Sequence, residues 1–123
     1  MLTMAQIDRT EGKDRMMKLL TKAIRSKLPP LGGTDQLPHD QIMVQAKFFT
    51  ADSNWTWFAT EFDGDDTFFD LVIGFEVEMG YWSLSELESA RGPRGLPIER
   101  DLWFKPTSLS QLPEYPRWAG GRG

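Results

Sequence analysis

Between residues 41 and 82 the chain repeats one pattern four times: a run of β-type residues, then a turn too short for anything but reversal. The first run is Gln41 to Thr50, where Ile42, Val44, Ala46 and Phe48 share one face at period two while Gln45 and Lys47 point the other way. The turn signal Ala51-Asp52-Ser53-Asn54 precedes Trp55 to Phe62, with Trp55, Trp57 and Ala59 on one face and Thr56, Phe58, Thr60 and Phe62 on the other. Asp63-Gly64-Asp65-Asp66 follows, and Asp-Gly is a strong hairpin marker. Phe68 to Phe75 is the third run, with Phe69, Leu71, Ile73 and Phe75 as a continuous apolar face; Val77 to Trp82 is a shorter fourth. Parallel strands need crossovers of a dozen residues or more, so this spacing predicts an antiparallel meander.

Helical signals flank the meander. Leu20, Ile24 and Leu28 recur every four residues within Met17 to Leu28, with Lys18, Lys22 and Arg25 opposite, and Pro29-Pro30 ends the pattern. Ser83 followed three residues later by Glu86 is a capping box, which predicts a short helix over Leu84 to Ala90. Residues 91–101 hold two Gly and two Pro and read as an extended, structured loop. Leu102 to Phe104 reads as a short edge strand, and Ser108 with Gln111 as a second small cap before Pro113. The expected fold is α+β: a four- to five-stranded antiparallel sheet, an N-terminal amphipathic helix and one or two short later helices. At 123 residues the chain suits one domain, expected over 16–113, with residues 1–15 and 114–123 as flexible ends. Met1, Met4, Met16 and Met17 are all candidate starts.

The absence of cysteine removes disulfides, thiolate metal sites and cysteine nucleophiles, and it fits a reducing cytoplasm. No run of about 18 apolar residues is present, so no membrane span is expected. Charged residues interrupt the N-terminus where a signal peptide would need an apolar core.

Charge is distributed in three blocks. Residues 1–28 carry a net +4, residues 29–90 a net −11 and residues 91–123 a net +3. Distinct faces imply partners, because a field of one sign attracts ligands of the other.

The runs MKLLTKAIRSKLPPL, KFFTADSNWTWFATEFDGDD and GYWSLSELESARGPRGLPIERDLWFKPTSLSQL together resemble the bacterial domain-of-unknown-function family numbered 2958. The resemblance covers about Met17 to Leu112, most specifically in SNWTW, SLSELES and GLPIERDLWFKP. It implies a small protein encoded on plasmids, phages or other mobile elements, often near genes that handle DNA. It brings no reaction and no ligand, so no functional residue is carried over.

The constellations that carry known chemistry are incomplete. His39 is the only histidine and sits in a Pro-His-Asp turn without a nucleophile motif. Pro38, Asp40, Gln45 and Lys47 faintly resemble a metal-dependent nuclease site but lack a second firm carboxylate. Asp63, Asp65, Asp66 and Asp70 with Glu61 offer oxygen ligands at spacings that do not match a calcium loop. Neither a catalytic residue, a metal nor a cofactor is expected. The sequence favours a non-enzymatic accessory protein that binds a protein partner through its acidic face, in the manner of a DNA-mimic inhibitor of a DNA-processing or defence complex. A second reading is direct single-stranded nucleic-acid binding through the basic helix and an aromatic sheet. An uncharacterised hydrolase or nuclease is the third. Trp55, Trp57, Asp63, Asp65, Asp66, Arg91 and Arg100 are the candidate binding residues.

Overall fold

The computed structural model describes residues 18–115. The expected flexible extension, the candidate starts and the tail from 116 lie outside the described residues. Helix α1 (Lys22–Lys27) is capped by Thr21, whose side chain accepts the Ile24 amide at 3.1 Å. It is shorter than the expected helix over 17–28, because Lys18 to Leu20 are not helical; Leu19 is nevertheless buried and packs in the core. Then come β1 (Met43–Val44), β2 (Ala46–Thr50), β3 (Thr56–Phe62), β4 (Thr67–Ile73) and β5 (Val77–Ser83). Helix α2 (Leu84–Ser89) begins at Ser83, which accepts the Glu86 amide as the capping box requires. Strands β6 (Ile98–Arg100) and β7 (Thr107–Ser108) complete the elements, with single 3-10 turns at His39–Gln41 and Leu109–Gln111.

The main sheet has the order β5-β4-β3-β2-β6, with every neighbour antiparallel, and β1 pairs separately with β7. This is the α+β architecture with a five-stranded antiparallel sheet. The short edge strand falls at Ile98–Arg100; the expected Leu102 to Phe104 segment is a turn instead.

Both faces of the sheet are covered. On one face Phe48, Trp57, Phe62, Phe68 and Val72 pack with Leu87 of α2 and Ile24 of α1. On the other, Phe58, Leu71 and Ile73 pack with Ile42, Val44, Leu109 and Leu112. Two irregularities correct the expected strand faces. Ile42 and Val44 lie on the second face while Ala46 and Phe48 lie on the first, because the strand breaks at Gln45 between β1 and β2. In β3 the register shifts between Ala59 and Glu61, so Thr60 is an extra residue. Its hydroxyl donates to the Phe69 carbonyl at 2.8 Å. The shift carries Phe62 to the helix-side core, not to the face of Phe58 where simple alternation places it. The apolar face expected over Phe69 to Phe75 also ends early: β4 stops at Ile73, and Phe75 is 95% exposed on the turn.

Asp70 stands in the middle of this sheet, paired in register with Ala59 and Gly80 and wholly buried. Neither carboxylate oxygen has a hydrogen-bond partner among the described residues, and burial pushes its pKa well above the usual carboxylate range. A pKa raised on folding contributes stability that is present below the unfolded value and lost as pH rises through the folded one. Asp70→Asn should therefore stabilise the protein at neutral pH, because the amide, though equally buried, does not titrate and escapes the penalty that the carboxyl incurs above its unfolded pKa. The two proteins should converge as pH falls toward about 4, where a free aspartate protonates. Urea denaturation across that range measures the gap; a gap that stays constant with pH would show that Asp70 does not titrate.

Candidate binding surfaces

The residues singled out in the sequence do not form one site. Trp57 is 4% exposed and belongs to the core, which rules it out as a surface ring. Trp55 is half-buried, with ring centroids 5.9 Å from Trp57, 5.3 Å from Phe75 and 6.1 Å from Trp82. It lies against Gly74, where a Cβ would collide with the indole. These aromatics on the helix side of the sheet therefore form a packed corner whose outer member, Phe75, remains in solvent.

The acidic hairpin turn is internally engaged. One Asp63 oxygen accepts the amides of Asp65, Asp66 and Thr67 at 2.9–3.0 Å. These bonds, the Thr67 amide first, hold its pKa below the ordinary value. Asp66 accepts the Ser83 hydroxyl at 2.6 Å, the Ser85 hydroxyl at 2.8 Å and the Ser85 amide at 2.8 Å, so it ties the turn to the start of α2. Ser83 is the main cause of its lowered pKa. Asp65 is exposed. Glu61 is buried on the opposite face from Asp70, and its carboxylate accepts the Gly32 amide at 2.8 Å, the Thr34 amide at 3.0 Å and the Thr34 hydroxyl. The five acids thus do not converge, and among the described residues no group of three His, Asp or Glu is placed to hold a metal ion.

Arg91 donates to the carbonyls of Glu88 and Ala90 and closes the end of α2. Arg100 is in β6 and donates to the Lys18 carbonyl; burial lowers its pKa, although arginine stays charged. In the nuclease-like set, Asp40 lies in the 3-10 turn at His39–Gln41, Gln45 at the break between β1 and β2, and Lys47 in β2. Lys47 pairs with Asp101 at 3.8 Å, and a ring nitrogen of the neighbouring His39 lies 3.0 Å from the Tyr115 hydroxyl.

Two surfaces stand out that the sequence did not mark. The first is the outer edge of β5, where Tyr81 is 68% exposed and Phe75 lies at one end. Glu76 and Glu78 are exposed at this strand, Glu86 and Glu88 are exposed on α2, which follows it, and residues 48–90 contain no lysine or arginine. The second is the turn after β6, where Leu102 is 62% and Trp103 91% exposed. Here the aromatic is two residues from both Asp101 and Lys105, in a run that reads as a strand because Leu-Trp-Phe is strongly β-prone. The Asp101 carboxylate, which accepts the Trp103 amide at 2.9 Å, makes it a turn instead.

The two tryptophans should respond in opposite ways to truncation. Trp57→Ala should cost about 3–5 kcal/mol and leave little folded protein. Trp103→Ala should change stability by no more than about 0.5 kcal/mol. Denaturant midpoints of the purified variants check both; equal losses would place Trp103 in the core.

Among the described residues no helix is long and apolar enough to cross a membrane. No curated protein and no solved structure matches the chain. A model of the protein family described as "Protein of unknown function (DUF2958)" matches residues 14–123. The match spans nearly the whole sequence, and the chain belongs to that family.

Proposed function

We propose that this chain is a non-enzymatic binding protein whose acidic edge receives a cationic, extended segment of a protein partner. The observation that supports this reading is the state of β5. It pairs with β4 without a break from Val77 to Ser83, and as the outer strand it has one side unpaired among the described residues. Edge strands are normally protected by lysine, proline, a bulge or a cover. β5 has neither Lys nor Pro, its register contains no bulge, it carries exposed Glu78 and Tyr81, and exposed Phe75 and Glu76 precede it. An added strand would gain main-chain hydrogen bonds from the edge and selectivity from the carboxylates.

This reading keeps the acidic protein-binding face expected from composition and moves it from the hairpin turn to the sheet edge. Imitation of duplex phosphates has less support, because Glu61, Asp63, Asp66 and Asp52 are held in hydrogen bonds within the fold. An accessory role on a mobile element is part of the same proposal, and proteins that handle DNA are the partners to try first.

The test is titration of the isotope-labelled chain with a synthetic peptide alternating lysine and valine, followed by amide chemical shifts. Shifts should centre on Val77 to Ser83, Tyr81→Pro should abolish them by removing an amide that faces away from β4, and a glutamate–valine peptide should give none. Shifts elsewhere, or equal response to both peptides, would overturn the reading.

A further inference from the structure

The turn at Asp101–Phe104 is built to hold an aromatic ring in water. The Asp101 amide donates to the Lys47 carbonyl at 2.9 Å, and the Asp101 carboxylate pairs with Lys47 and accepts the Trp103 amide. The Phe104 amide donates to the Asp101 carbonyl at 3.3 Å, and the Phe104 ring packs on Phe58 with centroids 6.1 Å apart. Both ends of the turn are thus anchored to the sheet, and Leu102 and Trp103 between them face solvent. A lone exposed apolar residue needs no explanation. What distinguishes Trp103 is its setting.

On the α1 side of the turn lies a groove of about 200 Å³, lined by Lys27, Gln45, Arg100, Leu102 and Phe104 among others. Asp101 is the acid among its lining residues, and Asp101 is neutralised by Lys47. The Lys18 carbonyl is bonded to Arg100, which brings a further lysine to the same rim, and Lys105 follows the turn. A cationic rim and a presented indole match two parts of one nucleotide, phosphate and base face.

We infer that the Trp103 turn and its adjoining groove bind single-stranded nucleic acid. A base stacks on Trp103, and flanking phosphates lie against the exposed side chains of Lys27 and Lys105. A duplex does not fit, because its bases are already stacked and cannot present a face to the indole. The site is next to β6, at the opposite edge of the sheet from β5, so it stands or falls independently of the proposed peptide edge.

The experiment is fluorescence anisotropy of labelled oligothymidylate and oligouridylate of about 12 nucleotides, within the usual site size of such proteins, against a duplex of the same length. The full chain should bind the single strands in preference to the duplex. Equal affinity for the two strands assigns recognition to phosphate and base; preference for the RNA adds a contact to the 2′-hydroxyl, and both support the site. Trp103→Ala should weaken binding about 5- to 150-fold, the range for loss of one base–aromatic stack, while Trp103→Phe retains most of it. Lys105→Gln should reduce the dependence of log affinity on log salt by about 0.7. Circular dichroism of each variant should match the native chain. Undiminished binding by folded Trp103→Ala, preference for the duplex, or capture by anionic lipid vesicles with oligonucleotides inert would each overturn the inference.

Discussion

The extra residue at Thr60 is the constraint on which the wrapping of this chain depends. Without it, alternation along β3 would put Phe62 beside Phe58 and turn Glu61 toward the helices. With it, Phe62 enters the helix-side core, where its ring lies 4.6 Å from Phe68 and under the Arg25 guanidinium. Glu61 is released to the far face, where three donors from Gly32 and Thr34 meet it. The register of β2 with β3 begins at the Ala46–Ala59 pair, so the edge of β3 beyond it is open to other backbone. The Pro29 carbonyl accepts the Phe62 amide there at 2.9 Å. The chain leaving α1 uses this gap to pass from one face of the sheet to the other. Charge-assisted bonds of the Glu61 kind are stronger than neutral ones, which suits a buried crossing that must not slip.

The same device recurs wherever a loop must be held. Asp52 accepts the Arg94 amide at 2.7 Å, and a Cβ on the neighbouring Gly92 would overlap its carboxylate. Asp63 closes the hairpin, Asp66 joins that hairpin to α2, and Asp101 shapes the turn that carries Trp103. The two α-helices among the described residues are only six residues each, too short to be stable alone, so loops provide much of the cover over the sheet. Carboxylates are efficient loop fasteners because one group accepts several backbone donors at once. Much of the acidity of residues 29–90 is therefore an architectural property. Its meaning for partners rests on the acids left over, at Glu76, Glu78, Glu86 and Glu88.

This explains which features were legible in the sequence. The meander was readable because turn chemistry and strand period are local, and so was α2, whose cap uses neighbours three residues apart. The faces after Val44 and Ala59 were not readable. A break or bulge is decided by what the strand meets on either side, and Gln45 and Thr60 look like ordinary strand residues. Trp57 looked like Trp55 in the sequence, yet one is core and the other half-exposed, because Trp57 faces Val72 across the sheet while Trp55 precedes the ladder. Arg91 and Arg100 were picked for their charge and serve mainly to close α2 and brace the Lys18 backbone. Trp103 was hidden inside a β-prone triplet. Its exposure follows from Asp101 turning the backbone locally and from Phe104 taking the inward place against Phe58, which is a long-range fact.

An open strand such as β5 would ordinarily invite pairing between copies. Antiparallel self-pairing here would bring two acidic rims together, each with Glu76, Glu78, Glu86 and Glu88 and with no lysine or arginine between residues 48 and 90 to offset them. Like charges on partially desolvated strands repel, and the repulsion grows as water is excluded. The carboxylates that would select a cationic strand therefore also discourage a second copy from occupying the edge. One set of side chains favours one class of occupant and opposes the commonest wrong one, which is how a sheet edge remains available without becoming a site of aggregation.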